Sequence, residues 1–280
     1  MATQLEKAER FRALHRGPGI LVLPNAYDAA SACIFAAAGF EAIATTSGGC
    51  AFSLGFPDGE RIGRAAMAEV VARIAAAVDL PVSADMEAGY GEAPEAVAET
   101  VGATIAAGAV GINIEDSTKG ATRALIDFDL AVARIAAART AAEAAALPLV
   151  INARTDVYSV GEGDEAARLD EAVRRANAYL AAGADCAFVI GVADGAVIAK
   201  LAAAIDGPLN ILAGPTSPPV AELEALGVRR VTVGSGFAKA TLALVKRGAE
   251  ELRAEGTYGF LTGQLSQPEI TKILQGKGSA

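Results

Sequence analysis

The segment Ala106-Ala107-Gly108-Ala109-Val110-Gly111-Ile112-Asn113-Ile114-Glu115 holds the end of a helix, a glycine cap, a turn and a buried strand that finishes on an acid. Glycine reaches the left-handed conformation that ends a helix without the Cβ penalty other residues meet. The phrase recurs. Ala37-Ala38-Gly39-Phe40-Glu41 runs into Ala42-Ile43-Ala44-Thr45-Thr46, and Ala181-Ala182-Gly183-Ala184-Asp185 into Cys186-Ala187-Phe188-Val189-Ile190. Leu226-Gly227-Val228-Arg229-Arg230 runs into Val231-Thr232-Val233-Gly234. Between the copies, further apolar strands are read at 20–24, 82–86, 149–153 and 209–213. Pro81, Pro148 and Pro208 each stand just before one of them, where a missing N–H does little harm.

Strands that alternate with helical patterns predict parallel βαβ units. Eight such units in a chain of 280 residues fit a (β/α)8 barrel rather than an open doubly wound sheet. One domain is expected over 1–280, with the barrel at about 18–256 and a C-terminal extension at about 257–280. A helical segment near 262–275 in that extension either packs on the barrel or reaches a neighbouring subunit.

Hydrophobic residues make up 52% of the chain and charged residues 20%, enough for a large core. The net charge of −9 offers no basic face, which excludes a bare nucleic-acid binder. Cys33, Cys50 and Cys186 form no C-x-x-C pair, so neither a disulfide framework nor a zinc cluster is expected. The charged N-terminus has no apolar stretch behind it, and no run approaches the roughly 20 residues of a membrane helix. The expectation is a reduced, cytoplasmic protein without membrane or nucleic-acid partners.

A barrel of this kind carries its functional residues at the C-terminal strand ends. Asp85 and Glu87 stand two apart at one such end. Strand alternation would point both to the same side, where two carboxylates in a dry place repel unless a cation sits between them. Asp58, in Pro57-Asp58-Gly59-Glu60, and Glu115 join them from neighbouring strand ends. An oxygen-only donor set suits a hard cation, Mg²⁺ or Mn²⁺, with one acid bound directly and the others holding waters. Arg154 is the natural fork for a substrate carboxylate. Ser47-Gly48-Gly49 offers a hydroxyl and open backbone N–H groups to the same anion. Blander readings stand beside these. Turn chemistry alone explains Asp58. Lys119 and Arg123 read as solvated loop charges, Gly234-Ser235-Gly236-Phe237 as a tight strand-to-helix turn, and Cys50 as a small buried residue. Tyr90 reads equally as packing or as substrate wall, and His15, the single histidine, receives no role.

The motifs Thr46-Ser47-Gly48, Pro57-Asp58-Gly59-Glu60, Asp85-Met86-Glu87-Ala88-Gly89-Tyr90-Gly91, Ile114-Glu115-Asp116 and Asn152-Ala153-Arg154-Thr155-Asp156 resemble the phosphoenolpyruvate mutase/isocitrate lyase superfamily. The match is strongest from about 25 to 155 and weaker to about 237. The resemblance implies a (β/α)8 barrel, often with a helix swapped between subunits of a homodimer or homotetramer. It implies Mg²⁺ held by Asp58, Asp85, Glu87 and Glu115, mostly through water. It implies a small α-keto or 2-hydroxy acid whose carboxylate meets Ser47, Gly48 and Arg154, and C–C or C–P bonds broken or made beside an oxyanion. The substrate set read on this rim is Tyr27, Ser47, Gly48, Gly49, Asp58, Arg154 and Asn210; the catalytic set is Arg154, Glu115 and Thr118. The chain departs from the family at the loop after Glu115. It reads Asp116-Ser117-Thr118-Lys119-Gly120-Ala121-Thr122-Arg123-Ala124-Leu125, without the Lys-x-Cys-Gly-His of the lyase branch. Thr118, Thr122, Lys119 or Arg123 would have to replace the missing acid. C–C cleavage of a small diacid is expected, oxaloacetate decarboxylase-like or 2-alkylmalate lyase-like, with decarboxylation favoured because its departing CO₂ takes no proton; C–P chemistry on phosphonopyruvate or phosphoenolpyruvate and a non-catalytic metabolite-binding barrel are the alternatives.

Overall fold

The computed structural model describes residues 2–119 and 123–276. Among the described residues nine strands form one sheet: β1 Leu21–Leu23, β2 Asn25–Ala26, β3 Ile43–Thr45, β4 Val82–Asp85, β5 Gly111–Glu115, β6 Val150–Thr155, β7 Cys186–Val189, β8 Leu209–Leu212 and β9 Arg230–Thr232. Every pairing is parallel. The order is β1-β9-β8-β7-β6-β5-β4-β3-β2, so the two ends of the sheet are neighbours in sequence. The sheet therefore closes into the expected (β/α)8 barrel, with its first strand split in two.

The split falls at Pro24. Proline has no N–H to give to a ladder, and only its carbonyl pairs, accepting from Ala44 N at 3.0 Å. Below the break β1 pairs with β9; above it β2 pairs with β3. Asn25 bridges the seam. Its Nδ2 donates to Thr45 O at 2.8 Å, and its Oδ1 accepts from Val233 N and Gly234 N, both at 2.9 Å.

The helix Gln4–Arg16 closes the bottom. Thr3 and Glu6 form its capping box. Its Phe11 is fully buried and reaches the start of β5, where a Cβ on Gly111 would lie 2.6 Å from the Phe11 ring. Glycine is required there by space alone. His15 is also buried, its Nδ1 2.9 Å from Phe11 O and its Nε2 3.4 Å from Arg230. The residue left without a role is part of the barrel floor. Burial and the neighbouring Arg230 push its pKa down to about 3, which keeps the ring neutral.

At the other end of the chain, Gly236–Ala254 forms a long helix, followed by a short 3₁₀ turn at Gly259–Leu261 and the helix Gln267–Gln275. In the long helix only Ala238 and Gly248 are buried. Among the described residues no helix is long and apolar enough to cross a membrane.

Candidate active site

A cavity of about 190 Å³ opens at the C-terminal rim. Ser47, Asp58, Asp85, Arg154 and Asn210 from the expected set all line it. Asp85 ends β4, and a polar chain holds it. Its Oδ2 accepts from Ser47 N at 2.9 Å and Ser47 Oγ at 2.8 Å. Its Oδ1 accepts from Asn113 Nδ2 at 2.9 Å, and Asn113 Oδ1 accepts from Asn152 Nδ2 at 2.8 Å. The backbone N–H and hydroxyl of Ser47 thus both donate to Asp85, and Ser47 stays in the cavity lining.

Ser47 opens the short helix Ser47–Ser53, capped by Thr46. Gly48 and Gly49 follow because nothing larger fits. A Cβ on Gly48 would lie 2.9 Å from Ser235 Oγ and 3.0 Å from the Asp58 carboxylate; one on Gly49 would lie 2.6 Å from the Thr46 methyl. Tyr27 stands outside the cavity lining, with its hydroxyl 3.1 Å from Thr241 Oγ1.

Glu87 does not follow the alternation expected of it. The strand stops at Asp85, and Glu87 takes a left-handed conformation (φ 51°). Strand geometry therefore does not carry through to residue 87. Its side chain is buried behind the cavity, 1% exposed. Glu115 is buried beside it, and Lys119 lies between the two. The ammonium is 3.3 Å from Glu87 Oε2 and in direct contact with Glu115 Oε1. The reading of Lys119 as a solvated charge is corrected: two buried carboxylates draw it inward. Arg123 is corrected likewise. Its guanidinium meets the fully buried Asp156 at 2.5 Å.

Arg154 bridges Glu115 through Nη1 at 2.8 Å and Asp156 through Nε at 2.7 Å. Its remaining terminal nitrogen carries no protein bond among the described residues. Burial pushes the Glu87 carboxyl up to about 7, against the pull of Lys119 and the Glu60 N–H. Burial also raises Glu115, against Arg154 and Lys119. For Asp156, burial is outweighed by Arg154, Ser117 and Arg123, and the pKa falls. Asp116 turns the other way, where Tyr179 donates to it at 2.6 Å and Arg175 at 3.1 Å. It is a buried tie to the helix Glu165–Ala181.

Thr118 faces a second cavity of about 280 Å³, beside Glu60, Lys119 and Arg134. Its hydroxyl accepts from Ala124 N at 3.1 Å. Thr122 lies outside the described residues. Sequence reasoning missed Ser235, Lys239 and Phe188 in the cavity wall. Ser235 was readable as a strand-end hydroxyl but was assigned to a turn; it bonds Thr46 Oγ1 at 2.7 Å. Lys239 sits in the first turn of the last long helix, where nothing in the pattern marks one lysine among several.

The donors around the cavity constrain how a divalent cation could be held. Among the described residues no three carboxylate, histidine or cysteine side chains converge as direct ligands. Glu87 and Glu115 already share Lys119. Asp85 and Asp58 do face the cavity, and Glu87 Oε1 is buried without a partner. This set fits a cation that keeps most of its waters, with Asp85 and Asp58 on its side of the cavity; it does not fit a four-carboxylate cage.

Fold and cavity together place the chain among the (β/α)8 barrels whose chemistry sits on the C-terminal rim. The profile of the family described as phosphoenolpyruvate phosphomutase matches residues 11–253, and the chain belongs to the phosphoenolpyruvate mutase/isocitrate lyase superfamily. A solved chain from Burkholderia cenocepacia J2315 is 44% identical, with a TM-score of 0.89 over 96% of this chain and 95% of that one. The 2-methylisocitrate lyase of Escherichia coli (strain K12) is 35% identical over 71% of this chain and 67% of its own length. The oxaloacetate decarboxylase of Ectopseudomonas mendocina (strain ymp) is 33% identical over 96% of this chain and 93% of its own.

Proposed function

We propose that the protein cleaves a C–C bond in a small α-keto or 2-hydroxy diacid through a pyruvate-like enolate, with oxaloacetate-like decarboxylation as the favoured reaction. The observation that carries it is the cavity itself. An acid fixed by hydrogen bonds (Asp85) shares it with donors not used by the protein. Those donors are the third guanidinium nitrogen of Arg154 and the Nδ2 of Asn210, which is buried without a partner. Asp85 would hold a divalent cation, Mg²⁺ or Mn²⁺, which would supply positive charge to stabilise a developing enolate oxygen.

The chain's own residues do the rest. Arg154 and Asn210 donate to the carboxylate next to the keto or hydroxy carbon. Because Glu115 and Asp156 already hold the Arg154 guanidinium, it cannot swing, and its open edge stays aimed at one place. Lys239 lines the same cavity without a carboxylate partner among the described residues, a counter-charge for a second carboxylate. Phe188, Ile190 and Leu212 give the cavity an apolar wall that excludes water from a reactive carbanion. The described part of the loop after Glu115 presents no Cys or His to the leaving group. Decarboxylation needs no such acid, and the likeness to an oxaloacetate decarboxylase supports this choice.

The test is a panel of oxaloacetate, 2-alkylmalates, 2-methylisocitrate and phosphonopyruvate with Mg²⁺ or Mn²⁺, read for pyruvate and phosphate together. Pyruvate release from a diacid is expected, abolished by EDTA and reduced about 10²–10³-fold or more in Asp85→Ala. Phosphate release, or phosphoenolpyruvate formed from phosphonopyruvate, would assign C–P chemistry instead. Tight metal-dependent binding without turnover would make this a metabolite-binding barrel.

A further inference from the structure

We propose that Glu60 is a positioning residue: the single latch that holds the Asp58-bearing segment against the active site. The proposal rests on the site described above, with Asp58 at its mouth.

Asp58 lines the cavity, yet among the described residues its carboxylate bonds only the next amide, Gly59 N, at 3.0 Å. It does not anchor itself. Among the described residues, every hydrogen bond that ties 57–62 to the rest of the chain is made by Glu60. Its N–H donates to Glu87 Oε2 at 2.7 Å. Its Oε1 accepts from Ala88 N at 3.1 Å and from Tyr90 N at 3.0 Å. One residue thus grips a carboxylate and two amides of the neighbouring loop.

The backbone shows what the grip imposes. Among the described residues four non-glycine residues have positive φ, and three of them, Glu60, Glu87 and Tyr90, meet here. Each such residue carries a local strain of about 1 kcal/mol that persists only where other contacts over-determine it. The receiving loop is held independently from below. Arg134, 1% exposed, donates to the carbonyls of Gly91 and Glu92 at 2.6 Å each and to that of Ala88. The loop 88–92 is therefore a fixed anchor, and Glu60 is the movable half of the joint. Releasing it frees Asp58 while leaving Asp85, Asn113 and Arg154 in place.

The experiment compares Glu60→Ala, Glu60→Asp and Glu60→Gln with the wild-type protein. Glutamine keeps a carbonyl oxygen that can accept from the Ala88 and Tyr90 amides; alanine cannot, and aspartate is one methylene short. Hydrogen exchange is followed in peptides covering 57–62 and 88–90, and binding of Mn²⁺ with oxalate is titrated. In Glu60→Ala both segments are expected to exchange about tenfold faster and the Mn²⁺–oxalate affinity to fall about tenfold, the loss of one or two hydrogen bonds. The exchange of β4 to β6 stays unchanged, and Glu60→Gln recovers most of both effects. The proposal is overturned if a folded Glu60→Ala matches wild type, or if Glu60→Gln is as impaired as Glu60→Ala. If the alanine variant does not fold, Glu60→Asp replaces it against Glu60→Gln under the same criteria. The exchange readout requires no turnover, so a failure of the proposed reaction leaves this test standing.

Discussion

At the scale of single residues, Lys119 shows how a buried acid pair is resolved from within the chain. Glu87 and Glu115 are both almost fully buried, and isolated carboxylates in such a place are strongly disfavoured. The ammonium of Lys119 supplies the compensating charge from within the chain. Replacing it with methionine removes that charge and keeps the hydrophobic stem. Lys119→Met is expected to lower the metal-free unfolding free energy by on the order of 3 kcal/mol, and added Mg²⁺ should recover more stability in the variant than in wild type. Urea unfolding with and without Mg²⁺ measures both; equal stability of variant and wild type in EDTA would sink the idea. Asp85, Glu115 and Arg154 were legible in the sequence because charged residues interrupt apolar strands at the expected rim. The inward turn of Lys119 was not legible. One partner, Glu115, ends β5 and the other, Glu87, lies two residues past the end of β4, and only the closed barrel brings them to one point.

Among the elements, the helix Gln4–Arg16 carries the clearest pH signature. His15 is the single histidine, so its titration stands alone. Its ordinary pKa of 6.5 falls to about 3 in the folded protein, chiefly through burial. Below pH 6.5 the unfolded chain takes up a proton that the folded chain refuses until about pH 3. The stabilising effect of the neutral ring is therefore fully present above pH 6.5 and lost progressively as pH falls towards 3. At pH 5 the loss amounts to about 2 kcal/mol. The urea midpoint should fall less between pH 7 and pH 5 for His15→Gln than for wild type; parallel losses in both proteins would refute this. The strands were readable from the glycine-capped phrase, but this helix was not readable as a floor. Its mean composition is polar, and the contact that buries it, Phe11 beneath Gly111, joins residues a hundred positions apart in sequence.

For the whole molecule, the C-terminal helices define a surface that one chain leaves bare. Leu242, Val245 and Leu252 recur on one side of Gly236–Ala254, all 49% or more exposed. Phe237, Leu261, Leu265 and Leu274 in the same C-terminal segment are exposed as well. An apolar face of this extent is covered in stable proteins, and a second copy of the same chain is the simplest cover. Sedimentation velocity is expected to give a mass of at least two chains, and Leu242→Asp with Val245→Asp to shift it toward one. A monomeric wild-type chain would reject the assignment. The sequence located this extension but could not show its exposure, since helical periodicity reports an apolar face without saying what meets it.

The split first strand has a consequence for how the molecule is made. Asn25 is joined to Val233 across 208 positions, and β1 waits for β9 over nearly the same span. Neither contact can form until almost the entire barrel has left the ribosome. The β2–β3 edge, by contrast, is complete once residue 45 has emerged. The nascent chain therefore grows as an open, curling sheet with one half of its first strand paired early and the other half unsatisfied. Ring closure at this seam is the late, entropically slow event of folding. Until it occurs, β1 is the unpaired edge at which a nascent chain is open to mispairing with another.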